Sequence, residues 1–367
     1  MSKDTNDTSM NTQKSKSKIL YLYPRQRSSF VAKDIKLLSE RYEVVEFLFR
    51  TKPKFLLPFE LVRLKLFLLR NLFSIKLYVV MFAGYWSLLP AIFAKIFGKR
   101  NLIITGGTDC VSFPEIGYGN FQNPLIAWFT KQSFKLSTRI VALHSSMILA
   151  DYKYLPLTYK RQGIKAFVPN LKTEIDIIEN GYDAAFWRPQ GSSKSKTFLS
   201  VALGIENAKT RNIKGYDLIL EVAKNYPSYE FVFVGLSSTQ VDFEVPANVQ
   251  LHGKTNAEGL RKYYSQSQFY LQLSMSEGFP NALCEAMLCE CVPIVSAVAS
   301  MPEIVGSSGF ILPQKDLNLL TQIIEKALQS DLEKLGKAAR HRISSQYTEQ
   351  MRAEKLNSLI KNLMDKK

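Results

Sequence analysis

Two carboxylates, Glu277 and Glu285, stand eight positions apart in a segment, residues 274–287, that reads Ser-Met-Ser-Glu-Gly-Phe-Pro-Asn-Ala-Leu-Cys-Glu-Ala-Met. Between them, Gly278, Phe279, Pro280, Asn281, Ala282 and Leu283 read as a loop that turns into a helix. The first turn of a helix presents backbone N–H groups that no carbonyl of the same helix satisfies, together with the positive end of its dipole. That end suits a phosphate. Glu285 falls about one turn inside such a helix, and Glu277 stands at its approach. An anion cradle with a carboxylate on either side fits a ligand that carries both a diphosphate and hydroxyl groups.

A second basic segment, Lys209–Gly215, reads Lys-Thr-Arg-Asn-Ile-Lys-Gly and lies between a strand and a helix. Two cations at a helix start can neutralise a pair of phosphates and help them leave. Lys209, Arg211 and Lys214 are the cations of this segment. In the first half, Ile-Thr-Gly-Gly-Thr-Asp (residues 104–109) ends a strand. Gly106 and Gly107 let the backbone approach a ligand. Asp109 is the polar side chain there that can take a proton or a sugar hydroxyl, or else cap the following helix. The loop Pro24–Phe30 carries Arg25, Arg27, Ser28 and Ser29, which suit either an anion or a helix cap. His144 reads as structural, and His252 as packed or capping. Four cysteines, Cys110, Cys284, Cys289 and Cys291, make no disulfide framework and read as buried thiols of a reducing compartment. Their spacing does not suit zinc, and no metal is expected.

The segment around Glu277 and Glu285 resembles the Glu-x7-Glu donor motif of retaining glycosyltransferases of family 4, which have the GT-B fold. The resemblance implies that Glu277 contacts hydroxyls of the transferred sugar and that Glu285 holds the ribose of a nucleotide. It implies that Lys214 and an arginine, for which Arg211 stands here with Lys209 in reserve, grip the donor diphosphate, with Gly278, Phe279, Pro280, Asn281, Ala282 and Leu283 around them. It also makes Glu277, Lys214 and Asp109 the catalytic set. Family members often carry a His where this chain has Gly106, which puts a catalytic His in doubt. The segment Asn180-Gly181-Tyr182-Asp183 with Phe186 and Pro189 is similar to the family's domain junction, and Met301–Val305 to a short helix that is a landmark. No cofactor is implied beyond the nucleotide-sugar co-substrate, since protein cations stabilise the leaving group.

These residues need two frames to hold them. Apolar runs at Lys18–Tyr23, Arg41–Phe49, 77–83, Asn101–Thr105 and Ile140–Leu143 alternate with helical stretches. The pattern restarts after a polar linker, 191–196, with strands at Phe198–Leu203, Phe231–Gly235, Val249–His252, Phe269–Leu273 and Val292–Val295. Such alternation predicts parallel α/β sheets, here two Rossmann-like domains facing a cleft, the GT-B architecture. The expected division is a disordered tail over 1–17, an acceptor-binding domain over 18–190, a donor-binding domain over 191–345, and a terminal helix over 346–367 crossing back to the first domain. Helical periodicity runs over about 331–366.

The charge is uneven. Residues 1–190 hold 28 Lys and Arg against 14 Asp and Glu, whereas the rest hold 20 against 18. The first half therefore favours an anionic partner, membrane headgroups over nucleic acid, because no basic–aromatic nucleic-acid module is present. Residues 52–76 set six cations and one acid, Glu60, among many Leu and Phe. Glu60, Arg63 and Arg70 share a stripe at helical spacing. The segment suits either a membrane interface or a core helix with snorkelling basics. Leu77–Ala94 is uncharged, but it divides into strand, turn and helix, which argues against a span. The expected protein is a peripheral enzyme on the inner face of a cell membrane. It moves a sugar from a nucleotide-diphosphate sugar to a glycan or lipid-linked acceptor in cell-surface polysaccharide or lipopolysaccharide synthesis. Two alternatives remain: a catalytically inactive GT-B scaffold, and a GT-B-type epimerase or phosphorylase.

Overall fold

The computed structural model describes residues 16–191, 193–236 and 241–365. The expected disordered tail therefore lies outside the described residues except for Lys16 and Ser17, as does Ser192 of the linker.

The first domain is a six-stranded sheet, every pairing of which is parallel: β1 (Lys18–Pro24), β2 (Glu43–Phe49), β3 (Ile75–Met81), β4 (Arg100–Ile104), β5 (Arg139–Ala142) and, after a small antiparallel pair β6 (Ala150–Asp151) and β7 (Arg161–Gln162), β8 (Ile175–Ile177). Its order is β2-β1-β3-β4-β5-β8. Helices α1 (Ser29–Ser39), α2 (Leu57–Arg70), α3 (Tyr85–Ile96) and α4 (Pro124–Leu136) are the crossovers, and α5 (Ile164–Phe167) is a short turn near β7. Because helices cover both faces, the central strands are apolar on both sides: Ile19 to Leu22 are all fully buried.

The second domain repeats the scheme with β9 (Ser195–Val201), β10 (Glu230–Leu236), β11 (Val249–Gly253), β12 (Ser267–Gln272), β13 (Val292–Ser296) and β14 (Phe310–Leu312), in the order β11-β10-β9-β12-β13-β14. Its helices are α6 (Ala208–Ile213), α7 (Tyr216–Ala223), α8 (Ala257–Gln266), α9 (Asn281–Leu288), α10 (Met301–Val305), α11 (Leu317–Leu328) and α12 (Leu332–Gln346). Strand order reverses between β9 and β12. In an open parallel sheet a crevice forms at that switch point, outside the carboxyl ends of the strands.

The helical periodicity over about 331–366 is divided between two helices. Tyr347 and Thr348 interrupt it, Thr348 bridges to Tyr182, and α13 (Glu349–Asp365) then packs on α1 and β3 of the first domain. A buried ion pair fixes it there. The Arg352 guanidinium donates to both Asp34 carboxylate oxygens at 2.7 Å and to the carbonyls of Ile178 and Glu179. The uncharged stretch Leu77–Ala94 is β3, a turn and most of α3, and no helix among the described residues is long and apolar enough to cross a membrane. All four cysteines are free and buried.

Candidate active site

The loops that leave β9 and β12 meet at the switch point of the second sheet. The Met275 N–H donates to the Ile213 carbonyl at 2.7 Å, which fastens one loop to the other. Gly215, with φ of 74°, lies where they cross, and a Cβ there would stand 2.1 Å from the Leu273 carbonyl oxygen. Only glycine permits this crossing. Its consequence is that Lys214, one residue earlier, reaches Glu277: Nζ lies 2.6 Å from Oε1. Gln272 Nε2 donates to the same oxygen at 2.9 Å. The pair is largely enclosed, with 30% of the Lys214 side chain and 11% of the Glu277 side chain exposed. Burial disfavours both charges. The neighbouring opposite charge and the hydrogen bonds overcome that penalty, so the Glu277 carboxyl is held below its ordinary range and the Lys214 ammonium above its own. Both groups are therefore ionised at neutral pH.

Helix α9 begins directly beyond Glu277. Pro280 precedes it and no side chain caps it, so the first-turn amides at Asn281–Leu283 are available. The helix end is not packed shut. Asn281 lines a cavity of about 490 Å³ with Phe30 and Lys33 of α1, Asn180, and Arg352 of α13. Glu285 sits one turn along α9, 9% exposed, and accepts no side-chain hydrogen bond from any described residue. Burial pushes its carboxyl up to about 7, against the pull of the Lys33 charge.

The rest of the loop is structural in its side chains. Phe279 stacks on Tyr182 and meets Tyr347 edge-on. The Asn281 Oδ1 accepts from the Tyr182 hydroxyl at 2.8 Å and from Asn180 Nδ2 at 3.2 Å, so its side chain is committed to the domain junction. Gly278 faces the first domain. A Cβ on Gly278 would lie 2.7 Å from the Gly106 carbonyl oxygen, and one on Gly107 would lie 3.1 Å from the Gly278 Cα. Ala282 is half-buried and Leu283 is buried, so these two offer backbone rather than side chain.

Three expectations need correction. Asp109 does not offer its carboxylate to the cleft: it is 2% exposed and accepts from the amides of Ala83 at 2.8 Å, Gly106 at 2.9 Å and Gly107 at 3.1 Å. It shapes the glycine turn. Arg211 turns away from Glu277. Its guanidinium donates to the carbonyls of Ile205 and Glu206, pairs with Asp242 at 3.5 Å and lies over the Phe243 ring. The reserve cation, Lys209, is the one that reaches the cleft, where Nζ donates to the Gly117 carbonyl across the domain boundary at 2.6 Å. Finally, Gly106 does not leave open space for a ligand. A Cβ there would fall 1.7 Å from the Phe82 ring. Phe82 itself adopts a left-handed φ of 63° at the end of β3 and occupies the space a side chain at 106 would need.

Further contacts join the two domains around the site. Tyr118, on the loop after Gly117, hydrogen-bonds Thr108 at 3.0 Å, and its charge environment includes both Lys214 and Glu277. The Tyr152 hydroxyl crosses the boundary to the Met275 carbonyl at 2.9 Å. His144 Nε2 meets Glu303 of α10 at 2.8 Å, which gives two residues read as structural a joint task in bridging the domains. No local spacing signals the last two contacts, because their partners lie more than a hundred positions away. Between the Gly107 turn and Glu277 the remaining cavity is about 40 Å³, room for a water and not for a sugar.

With this geometry in view, comparison with known proteins gives the class. Residues 193–342 match the family model described as Glycosyl transferases group 1. The described residues have the GT-B fold. The chain superposes on a sucrose-phosphate synthase from Thermosynechococcus elongatus with a TM-score of 0.71 at 14% identity, covering 94% of this chain and 99% of that one. It matches Anabaena HepE in complex with UDP and glucose equally well, with a TM-score of 0.71 at 13% identity, covering 94% and 100%. Among curated relatives it is 26% identical over 203 residues to a GDP-mannose:cellobiosyl-diphosphopolyprenol alpha-mannosyltransferase of Xanthomonas oryzae, covering 52% of this chain and 51% of that protein. It is 24% identical over 169 residues to the Saccharomyces cerevisiae phosphatidylinositol N-acetylglucosaminyltransferase GPI3 subunit, covering 42% and 37%. The chain thus spans between a third and about half of these relatives' lengths.

Proposed function

We propose that this protein is a retaining hexosyltransferase of glycosyltransferase family 4, moving a sugar from a nucleotide-diphosphate sugar to a glycan or lipid-linked acceptor in cell-surface polysaccharide or lipopolysaccharide synthesis. The observation that carries the reading is the Lys214–Glu277 pair at the switch point, one loop away from the uncapped start of α9. The α9 amides and Lys214 would take the diphosphate, and Lys214 would neutralise the charge that develops as it leaves. Glu277, ionised and held by Gln272, would accept hydroxyls of the transferred sugar. Glu285 would accept the ribose hydroxyls, for which its unpartnered carboxylate suits. The sugar would sit where the Gly106–Gly107 turn now touches Glu277–Gly278, so the two lobes must part to admit the donor. The relatives' printed names, with cellobiosyl-diphosphopolyprenol in one case and phosphatidylinositol in another, agree with a lipid-borne acceptor.

The test is a thermal-shift screen of nucleotide-sugars followed by a transfer assay with the donor that stabilises. Glu277→Gln and Lys214→Ala should each lower transfer by about 100-fold or more, the size of losing a positioned charge at the reacting phosphate, while their far-UV spectra stay native. Full activity in either variant would end the proposal. Gly106 and the Phe82 ring in place of a side chain at 106 favour the inactive-scaffold reading as the second choice. That reading predicts donor binding without transfer or donor hydrolysis.

A further inference from the structure

Helix α2 carries apolar side chains outward as well as inward. Its acid, Glu60, is 6% exposed and turned toward the sheet, where it accepts from Arg63 Nη2 at 2.6 Å and from the Arg50 amide at 3.3 Å. Leu64 and Leu68 fill the core beside it. The outward side carries Phe59, Val62, Leu66 and Leu69, and Phe55 and Phe73 stand just before and after the helix; all six are between 43% and 88% exposed. The four on the helix, spaced three and four residues apart, form one stripe along its roughly four turns. Isolated exposed apolar residues need no explanation, but a continuous stripe of two-thirds-exposed Phe and Leu marks a surface that is covered in use.

We propose that this stripe is a membrane-docking surface that lies in the interface of an anionic lipid bilayer. Charge selects the partner. The exposed side chains around the stripe include Lys52, Lys54, Lys65 and Arg70, and the segment's one acid is the buried Glu60. Cations at headgroup level and Phe and Leu at the acyl boundary are the arrangement of an interfacial helix. A second copy of the chain docking through the same stripe about a two-fold axis would set like charges facing one another, which disfavours it. The helix stays folded without lipid because Glu60, Leu64 and Leu68 anchor it to the domain. This inference rests on the surface of α2 and not on the transfer chemistry.

Full-length protein is sedimented with phosphatidylcholine vesicles that contain or lack phosphatidylglycerol. The expected result is binding to the anionic vesicles that weakens with salt. Phe59→Asp with Leu66→Asp should lower the partition by about tenfold or more, and Lys65→Glu with Arg70→Glu should do likewise. All four positions face outward, so both variants should keep the wild-type melting temperature and their activity on a soluble acceptor. That retained activity separates this proposal from the preceding one. Three outcomes overturn it: no binding to either vesicle, binding unchanged in both variants, or a wild-type dimer in solution that the Phe59→Asp/Leu66→Asp pair converts to monomer.

Discussion

Glu285 gives the sharpest physical test of the site. Its carboxyl is buried one turn into α9 without a hydrogen-bond donor, and burial raises it from 4.5 to about 7. An acid whose folded value is raised takes up protons on folding. Folding is therefore opposed by this group as pH rises from the unfolded value toward the folded one, and the penalty is complete above about pH 7. With 1.36 kcal/mol per unit, the shift from 4.5 to about 7 makes the penalty about 3 kcal/mol at pH 8 and under about 1 kcal/mol at pH 5. Glu285→Gln removes the titration and keeps the shape. The variant should gain about 2.5 kcal/mol on wild type between pH 5 and pH 8. The assay is urea denaturation of both proteins at the two pH values, read as a difference of differences so that every shared titration cancels. A pH-independent difference would refute the argument, since it would mean that the carboxyl is not desolvated in the folded state. The same variant should bind the stabilising nucleotide-sugar more weakly at pH 8, because the ribose hydroxyls would lose a charged acceptor.

Two further outcomes follow from packing. Gly106→Ala places a methyl group 1.7 Å from the Phe82 ring and should destabilise by about 1–3 kcal/mol, a loss that Phe82→Ala in the same chain largely restores; thermal melts of the single and double variants check this. Arg352→Ala leaves Asp34 buried without its partner and should destabilise by about 3–5 kcal/mol, releasing α13 from the first domain, which limited proteolysis of the C-terminus would detect.

The fold was largely legible because strands buried on both faces must be apolar along their whole length, and such runs stand out between charged helices. What escaped was short or set by partners far away. β8 and β14 have three residues each, and the β6–β7 pair has two per strand, too few to show a period. The helical period by itself runs through the break between α12 and α13, where Tyr182 bridges Thr348 from the domain junction.

At the site, sequence by itself determined the chemistry in store: a Lys-Gly turn, two carboxylates about a helix start, a glycine pair opposite and an excess of positive charge in the first half. These depend on residue type and local spacing, which the chain carries in one dimension. Only the tertiary structure decided how they are used. It brought Lys214 onto Glu277, because Gly215 lets two loops cross. It turned Arg211 toward Asp242 and Phe243, and enclosed Asp109 among three main-chain amides. It also faced the apolar stripe of α2 outward, because burying Glu60, Leu64 and Leu68 fixes which side of the helix meets the sheet. Each of these choices is a contact between residues distant along the chain or a selection of one helix face, and such information exists only once the elements have packed.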